Sequence, residues 1–181
     1  SQNILINTIL ISSALYLFFI TLRDFFIKKY NNISQNIAHF GFSLLILSIL
    51  FNNLFSSEII TNLKVGETFE NSKTKIVFES INQKKEKNYN AIIANFSVQN
   101  YLGEKDKLSP ELRIYNQPVI ATSEADIKTT LMSDKFIVIN LVQNQDYFNV
   151  RYQVKSFMVW IWLSVILISF GGIISFLKKR S

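Results

Sequence analysis

Three long apolar stretches punctuate an otherwise polar chain. They run from Ile4 to Leu22, from Asn36 to Phe55 and from Phe157 to Leu177. Each is close to the roughly 20 residues that an α-helix needs to cross a bilayer, so the pattern predicts three transmembrane helices. Between the second and the third, the apolar period shortens toward two. Thr74–Ile81 and Ala91–Tyr101 alternate in part, Phe136–Val142 is a continuous apolar run suited to a buried strand, and Tyr147–Val154 places Phe148, Val150, Tyr152 and Val154 on one face. Breaks are expected at Asn82–Asn88, Gly103–Pro110 and Asn116–Pro118. Ser123–Thr130 predicts one short helix, capped by Ser123 with Asp126 three residues on.

The pattern therefore predicts a membrane protein with three transmembrane α-helices and one exported, mostly antiparallel β domain. About six to eight short strands suit a small sandwich or partial barrel. Residues 1–35 form the first helix and a polar loop over Arg23–Gln35, residues 36–55 the second helix with Ser34 as its N-cap, residues 56–155 the β domain, and residues 156–181 the third helix and a basic tail. Trp160 and Trp162 suit the headgroup region at the outer end of the last helix. Gly171-Gly172 in its inner half suits close helix contact.

Charge fixes the expected orientation. The net charge is +6, but residues 56–155 hold thirteen Lys/Arg against twelve Asp/Glu. The excess sits at the ends of the apolar segments, in Arg23, Lys28 and Lys29, and in Lys178, Lys179 and Arg180. Both clusters belong in the cytoplasm by the positive-inside rule, which puts residues 56–155 outside. A nearly neutral polar domain offers no nucleic-acid footprint. The chain starts at Ser1 and enters an apolar stretch without a basic n-region, as a piece of a longer membrane protein would.

Chemistry-bearing residues are few. The chain has no cysteine and a single histidine, His39. Thiol catalysis, zinc–thiolate sites and covalent haem attachment to this chain are excluded, and the β domain has no triad. No catalytic residue is expected; the carboxylates Glu124 and Asp126 have the spacing of a helix cap, and Lys84–Lys87 suits a solvated hairpin. His39 lies roughly 4–5 Å inside the second span at 1.5 Å per residue. Two readings stand: a histidine near the interface bonding a carbonyl or lipid headgroup, or an axial ligand to haem iron with its second ligand on another helix. On the second reading Gly41 would leave room for a flat macrocycle, and Ser43, one turn on, would support the ligand.

The order of several short motifs resembles the C-terminal portion of the cytochrome c maturation protein F family, the haem lyase component of the system I pathway. The stretches are Ala38-His39-Phe40-Gly41, Gly66-Glu67, Pro110-Glu111-Leu112-Arg113-Ile114-Tyr115, Ser123-Glu124-Ala125-Asp126-Ile127, Asp134-Lys135-Phe136-Ile137-Val138, Val150-Arg151-Tyr152, Val159-Trp160-Ile161-Trp162-Leu163 and Gly171-Gly172. The resemblance implies a multi-pass protein of the bacterial cytoplasmic membrane with residues 56–155 in the periplasm. It implies that the family joins haem to apocytochrome c and holds a b-type haem in the membrane, with His39 as one axial ligand. The partner histidine and the family's tryptophan-rich haem-handling motif are absent, so this chain would be a fragment or separate subunit. Leu112, Gln153 and Val159 depart from the family's basic or aromatic residues. Implied partners are the remainder of the lyase, a haem chaperone, other maturation subunits, apocytochrome c and membrane lipid. Pro110–Tyr115 and Ser123–Ile127 would serve as fixed loops that position such partners. Two rivals remain: the system II assembly family, and a non-enzymatic membrane scaffold or receptor whose exported β domain binds a protein.

Overall fold

A computed structural model describes residues 2–27, 33–101, 103–142 and 145–180. The chain divides into two compact units. One holds residues 1–56, 130–133 and 155–181; the other holds residues 57–129 and 134–154.

The first unit contains α1 (Gln2–Ile27), α2 (Ile33–Phe55) and α3 (Met158–Arg180). All three are long and apolar enough to cross a membrane. Of the expected polar loop Arg23–Gln35, Arg23–Ile27 continues α1 and Ile33–Gln35 already belongs to α2. Ser34 is thus inside the helix and not its N-cap. Polar residues can extend a helix at a membrane edge because their side chains reach water while the backbone bonds continue. Likewise α3 runs on through the basic tail to Arg180. The basic pair Lys28–Lys29 lies outside the described residues.

Helix packing uses small and hydroxyl residues. Thr21 Oγ1 of α1 and Ser43 Oγ of α2 are 2.6 Å apart, one hydroxyl donating to the other. The Phe40 ring lies 5.6 Å from Phe18 and 5.8 Å from Phe25. On its other side α2 meets α3 through glycines: the Gly41 Cα faces Leu167 and Ile168, and Gly171 faces Ser34 and Ala38. Such close approach lets dispersion and backbone contact hold helices where lipid competes for ordinary apolar packing.

The second unit is a two-layer antiparallel β structure. Its strands are β1 (Ser57–Leu63), β2 (Thr68–Glu70), β3 (Thr74–Lys85), β4 (Tyr89–Asn100), β5 (Lys105–Leu108), β6 (Glu111–Tyr115), β7 (Ala121–Glu124), β8 (Asp126–Thr129), β9 (Ser133–Leu141) and β10 (Phe148–Ser156). One sheet has the order β1-β10-β9-β8, the other β2-β3-β4-β6-β7 with β5 also on β4. The core draws on both: Leu63, Ile137, Ile139, Val150 and Tyr152 meet Ile76, Phe78, Phe96, Val98, Leu108 and Leu112. Phe78 and Phe96 stack at 4.4 Å, with Phe148 edge-on to Phe78 at 5.7 Å. Truncating either stacked ring to alanine costs about 3–5 kcal/mol in a close-packed core.

Four sequence expectations change here. Ser123–Thr130 is not a helix but two short strands in different sheets, with Ala125 at the corner between them. Local capping signals lost to ladder hydrogen bonds, which register with β6 and β9 supplies. Pro110–Tyr115 and Ser123–Ile127 are not loops; Glu111 pairs with Glu124 and Leu112 with Ser123 on adjacent strands. The break at Asn82–Asn88 narrows, since β3 runs to Lys85 and pairs it with Asn90. Strand β9 buries Ile137 and Ile139 on one face, while Phe136 and Val138 on the other are only partly covered, because a two-layer structure packs one face of each sheet.

Candidate functional site

The packing of α2 determines where its histidine goes. The α1-facing side is taken by Phe40 and Ser43, the α3-facing side by Ala38 and Gly41. What remains is a stripe of Gln35, His39, Phe42, Ile46, Ile49 and Asn53, spaced by alternating steps of four and three residues. His39 is exposed on this stripe, as are Phe42 and Ile49. Among the described residues none hydrogen-bonds its imidazole, and no three His, Cys, Asp or Glu side chains converge on a cation site.

Both supporting residues expected from the sequence are committed elsewhere. A Cβ on Gly41 would sit 3.0 Å from the Ile168 backbone and from Leu167, so the open space beside this glycine is filled by α3, not left for a macrocycle. Ser43 is fully buried, donates to the Phe40 carbonyl at 2.8 Å and touches Thr21. The i, i+4 spacing from His39 places Ser43 one turn along, but packing turns it into the α1 contact. His39 therefore stands on an exposed face, followed by the apolar Phe42, Ile46 and Ile49, with both ring nitrogens free to bond outward.

The β unit holds two polar clusters that the sequence did not bring together. Asp106 of β5 is nearly buried and accepts hydrogen bonds from Lys128 Nζ at 2.6 Å and Lys135 Nζ at 2.7 Å. Burial alone would push its carboxyl up, but the two ammonium groups outweigh that and hold it below the ordinary carboxylate range. Its hydrogen bond and charge raise the Lys128 ammonium above the usual lysine value. Tyr152 is buried, and burial together with the nearby Asp106 charge pushes its phenol up to about 12. Strands β5, β8 and β9 from both sheets meet here, so the ion cluster ties the two layers together.

The second cluster is a surface. Arg113 of β6 lies 5.1 Å from the Tyr89 ring centre, Tyr89 and Tyr115 are 5.3 Å apart, and Arg113 Nε donates to Glu111 at 2.9 Å. The register that pairs Tyr89 with Tyr115 creates it. Arg113 and Tyr115 are consecutive same-face positions, and an Arg-x-Tyr pair in a strand was the available signal, but Tyr89 could be added only through the pairing.

Comparison with known proteins places this arrangement. Residues 54–156 match a family model described as the CcmF C-terminal beta-sandwich. Cytochrome c-type biogenesis protein Ccl1 of Rhodobacter capsulatus is 31% identical over 143 residues, covering 79% of this chain and 22% of that protein. CcmF of Pseudomonas fluorescens is 26% identical, over 81% of this chain and 22% of its own length. Protein NrfE of Haemophilus influenzae is 23% identical over 95% of this chain and 27% of its length. A solved structure described as cytochrome c heme lyase CcmF has the same fold over 77% of this chain and 23% of its own, with TM-score 0.57 at 18% identity. The chain thus spans between a fifth and three tenths of the length of these relatives.

Proposed function

Because this chain belongs to the CcmF family, we propose that it works in cytochrome c-type biogenesis as the C-terminal part of a membrane haem lyase. On this reading His39 would hold a haem b within the membrane together with a histidine outside this chain. When bound, that haem supplies one-electron redox chemistry. The observation that carries the reading is the placement of His39 on the one stripe of α2 that neither α1 nor α3 covers.

The residues present fit such a group in a limited way. His39 offers an imidazole nitrogen to iron, and exposed Phe42 and Ile49 offer apolar surface to a porphyrin. The fit does not include a cavity beside Gly41, which α3 occupies. The rest of such a site would have to come from another chain, in keeping with a ligand set shared with the remainder of the lyase. The haem chaperone, other maturation subunits and apocytochrome c are its working partners, and residues 56–155 face the periplasm of a bacterial inner membrane.

The test is the His39→Ala variant assembled with the rest of the lyase in membranes. A reduced-minus-oxidised difference spectrum should lose most of its b-type absorbance, and the yield of mature cytochrome c should fall. Unchanged haem content in a stably inserted variant would reject the ligand assignment.

A second reading has one observation in its favour. The Tyr89–Arg113–Tyr115 surface has the residue types that concentrate binding energy at protein interfaces. The β unit would then be a docking module for a protein partner, with no haem of its own. Purification of the chain with its lyase partners free of any bound haem would favour this reading alone.

A further inference from the structure

We propose that the hairpin tip between β8 and β9, Thr130–Ser133, is a membrane-surface anchor whose Leu131 and Met132 side chains insert into the outer interfacial layer of the bilayer that α3 crosses.

Four observations converge. The tip carries two large apolar side chains that are conspicuously exposed, Leu131 at 68% and Met132 at 60%. An exposed hairpin tip would ordinarily be polar, because apolar surface there gains nothing from burial in the protein. Second, the tip is closed tightly: Thr130 N donates to the Ser133 carbonyl at 2.9 Å, and Thr130 Oγ1 donates to the same carbonyl at 2.8 Å. With the flanking polar groups bonded to one another, only the two apolar side chains project.

Third, the tip is held level with the start of a membrane span. Phe157 N donates to the Met132 carbonyl at 2.8 Å, and Trp160 Nε1 donates to the Leu131 carbonyl at 2.9 Å. Trp160 is only two residues into α3, and a helix rises about 1.5 Å per residue. The tip therefore sits at the depth at which the span begins, where indole rings collect. Its compact unit is the helical one, not the β one.

Fourth, the level itself is structurally fixed. Phe157 has a left-handed backbone with φ of 60°, uncommon for a bulky residue and sustained only by surrounding contacts. Those contacts are the bond to Met132 and ring packing of Phe157 on Phe51 at 5.2 Å and on Phe55 at 6.3 Å. Asn52 Nδ2 donates to the Ser156 carbonyl at 2.5 Å and Ser156 N to Ser56 Oγ at 3.1 Å, which ties the end of α2 to the start of α3. An aromatic collar thus marks the boundary, and Leu131 and Met132 stand beside it. The occupant this surface fits is lipid at the headgroup–acyl boundary.

The absence of cysteine makes the test direct. Leu131→Cys and Met132→Cys, each labelled with an environment-sensitive fluorophore, are reconstituted as the full chain into phosphatidylcholine–phosphatidylglycerol vesicles. Trp162→Cys, on the exposed face of α3, is the lipid-facing reference. Brominated lipids should quench the tip labels to at least half the extent seen at residue 162, and aqueous iodide should quench them several-fold less than free dye. Strong iodide quenching with none from brominated lipid overturns the proposal. So does shielding from both quenchers, which would mean that a second copy covers the tip. Leu131→Asp with Met132→Asp in a Trp162→Phe background supplies an unlabelled check: the emission of Trp160, now the lone tryptophan, should shift to the red if the tip leaves the interface, and unchanged emission counts against the anchor.

Discussion

Gly171 and Gly172 are neighbours in sequence with opposite surroundings. A Cβ on Gly171 would come within 2.8 Å of the Ala38 nitrogen and the Ser34 carbonyl oxygen, whereas one on Gly172 meets nothing within 4 Å. Gly171→Ala should therefore force α2 and α3 apart and cost about 1–3 kcal/mol, the usual penalty of overpacking. Gly172→Ala should be neutral or gain up to about 1 kcal/mol from helix propensity. Thermal unfolding of the two variants in the same detergent separates them. The sequence indicated that a glycine pair favours helix contact, but nothing in it distinguished the two. The same limit applies at His39, whose exposure depends on which faces of α2 its neighbours take. Ser43, predicted to support a ligand, was instead drawn into the α1 contact, since a buried hydroxyl needs a partner and Thr21 is one.

At the scale of elements, β5 shows how one short strand ties the β unit together. Its Asp106 bonds Lys128 at the end of β8 and Lys135 at the start of β9. The Asp106 carboxyl is held below its ordinary value of 3.8, so its contribution is complete above that pH and is lost as pH falls through the folded pKa. Lys128 is raised above 10.5 and Tyr152 up to about 12, so their contributions are complete below the ordinary values and fade as pH rises through the folded ones. The unit should keep constant stability between about pH 4 and 10 from these groups and weaken on both sides. Asp106→Asn should cost about 2 kcal/mol at neutral pH, the typical loss of charged hydrogen bonds, and should flatten the acid limb. Denaturant melts followed by far-ultraviolet circular dichroism across pH measure both effects. Alternation in the sequence marked β3, β4 and β10, because half-buried strands carry period two, and a continuous apolar run marked β9. Neither pattern marked β1, β2, β5, β6, β7 or β8, most of them five residues or fewer, whose stability comes from pairing rather than pattern.

For the whole molecule, the charge distribution and the three apolar helices predict a topology that labelling can test. A single cysteine at Ser72, in the turn between β2 and β3, should react with a membrane-impermeant maleimide in intact cells. A cysteine at Arg23 should react only after permeabilisation. The reverse pattern would reject export of residues 56–155. The helices and the β unit separate cleanly in the sequence because a bilayer and water select different periods and different compositions.

By itself the sequence determined the three apolar helices, the β character between them and the family that carries them. Those features depend on local composition and on motif order along one chain. Only the tertiary structure decided which face of α2 leaves His39 open, that Pro110–Tyr115 and Ser123–Glu124 lie on paired strands, and that Asp106 finds two lysines. It also decided that the Thr130–Ser133 tip belongs to the start of α3. Each of these depends on register and crossing geometry between segments far apart in the chain. Shifting a strand by one residue would turn its side chains to the opposite face without changing its composition or its period.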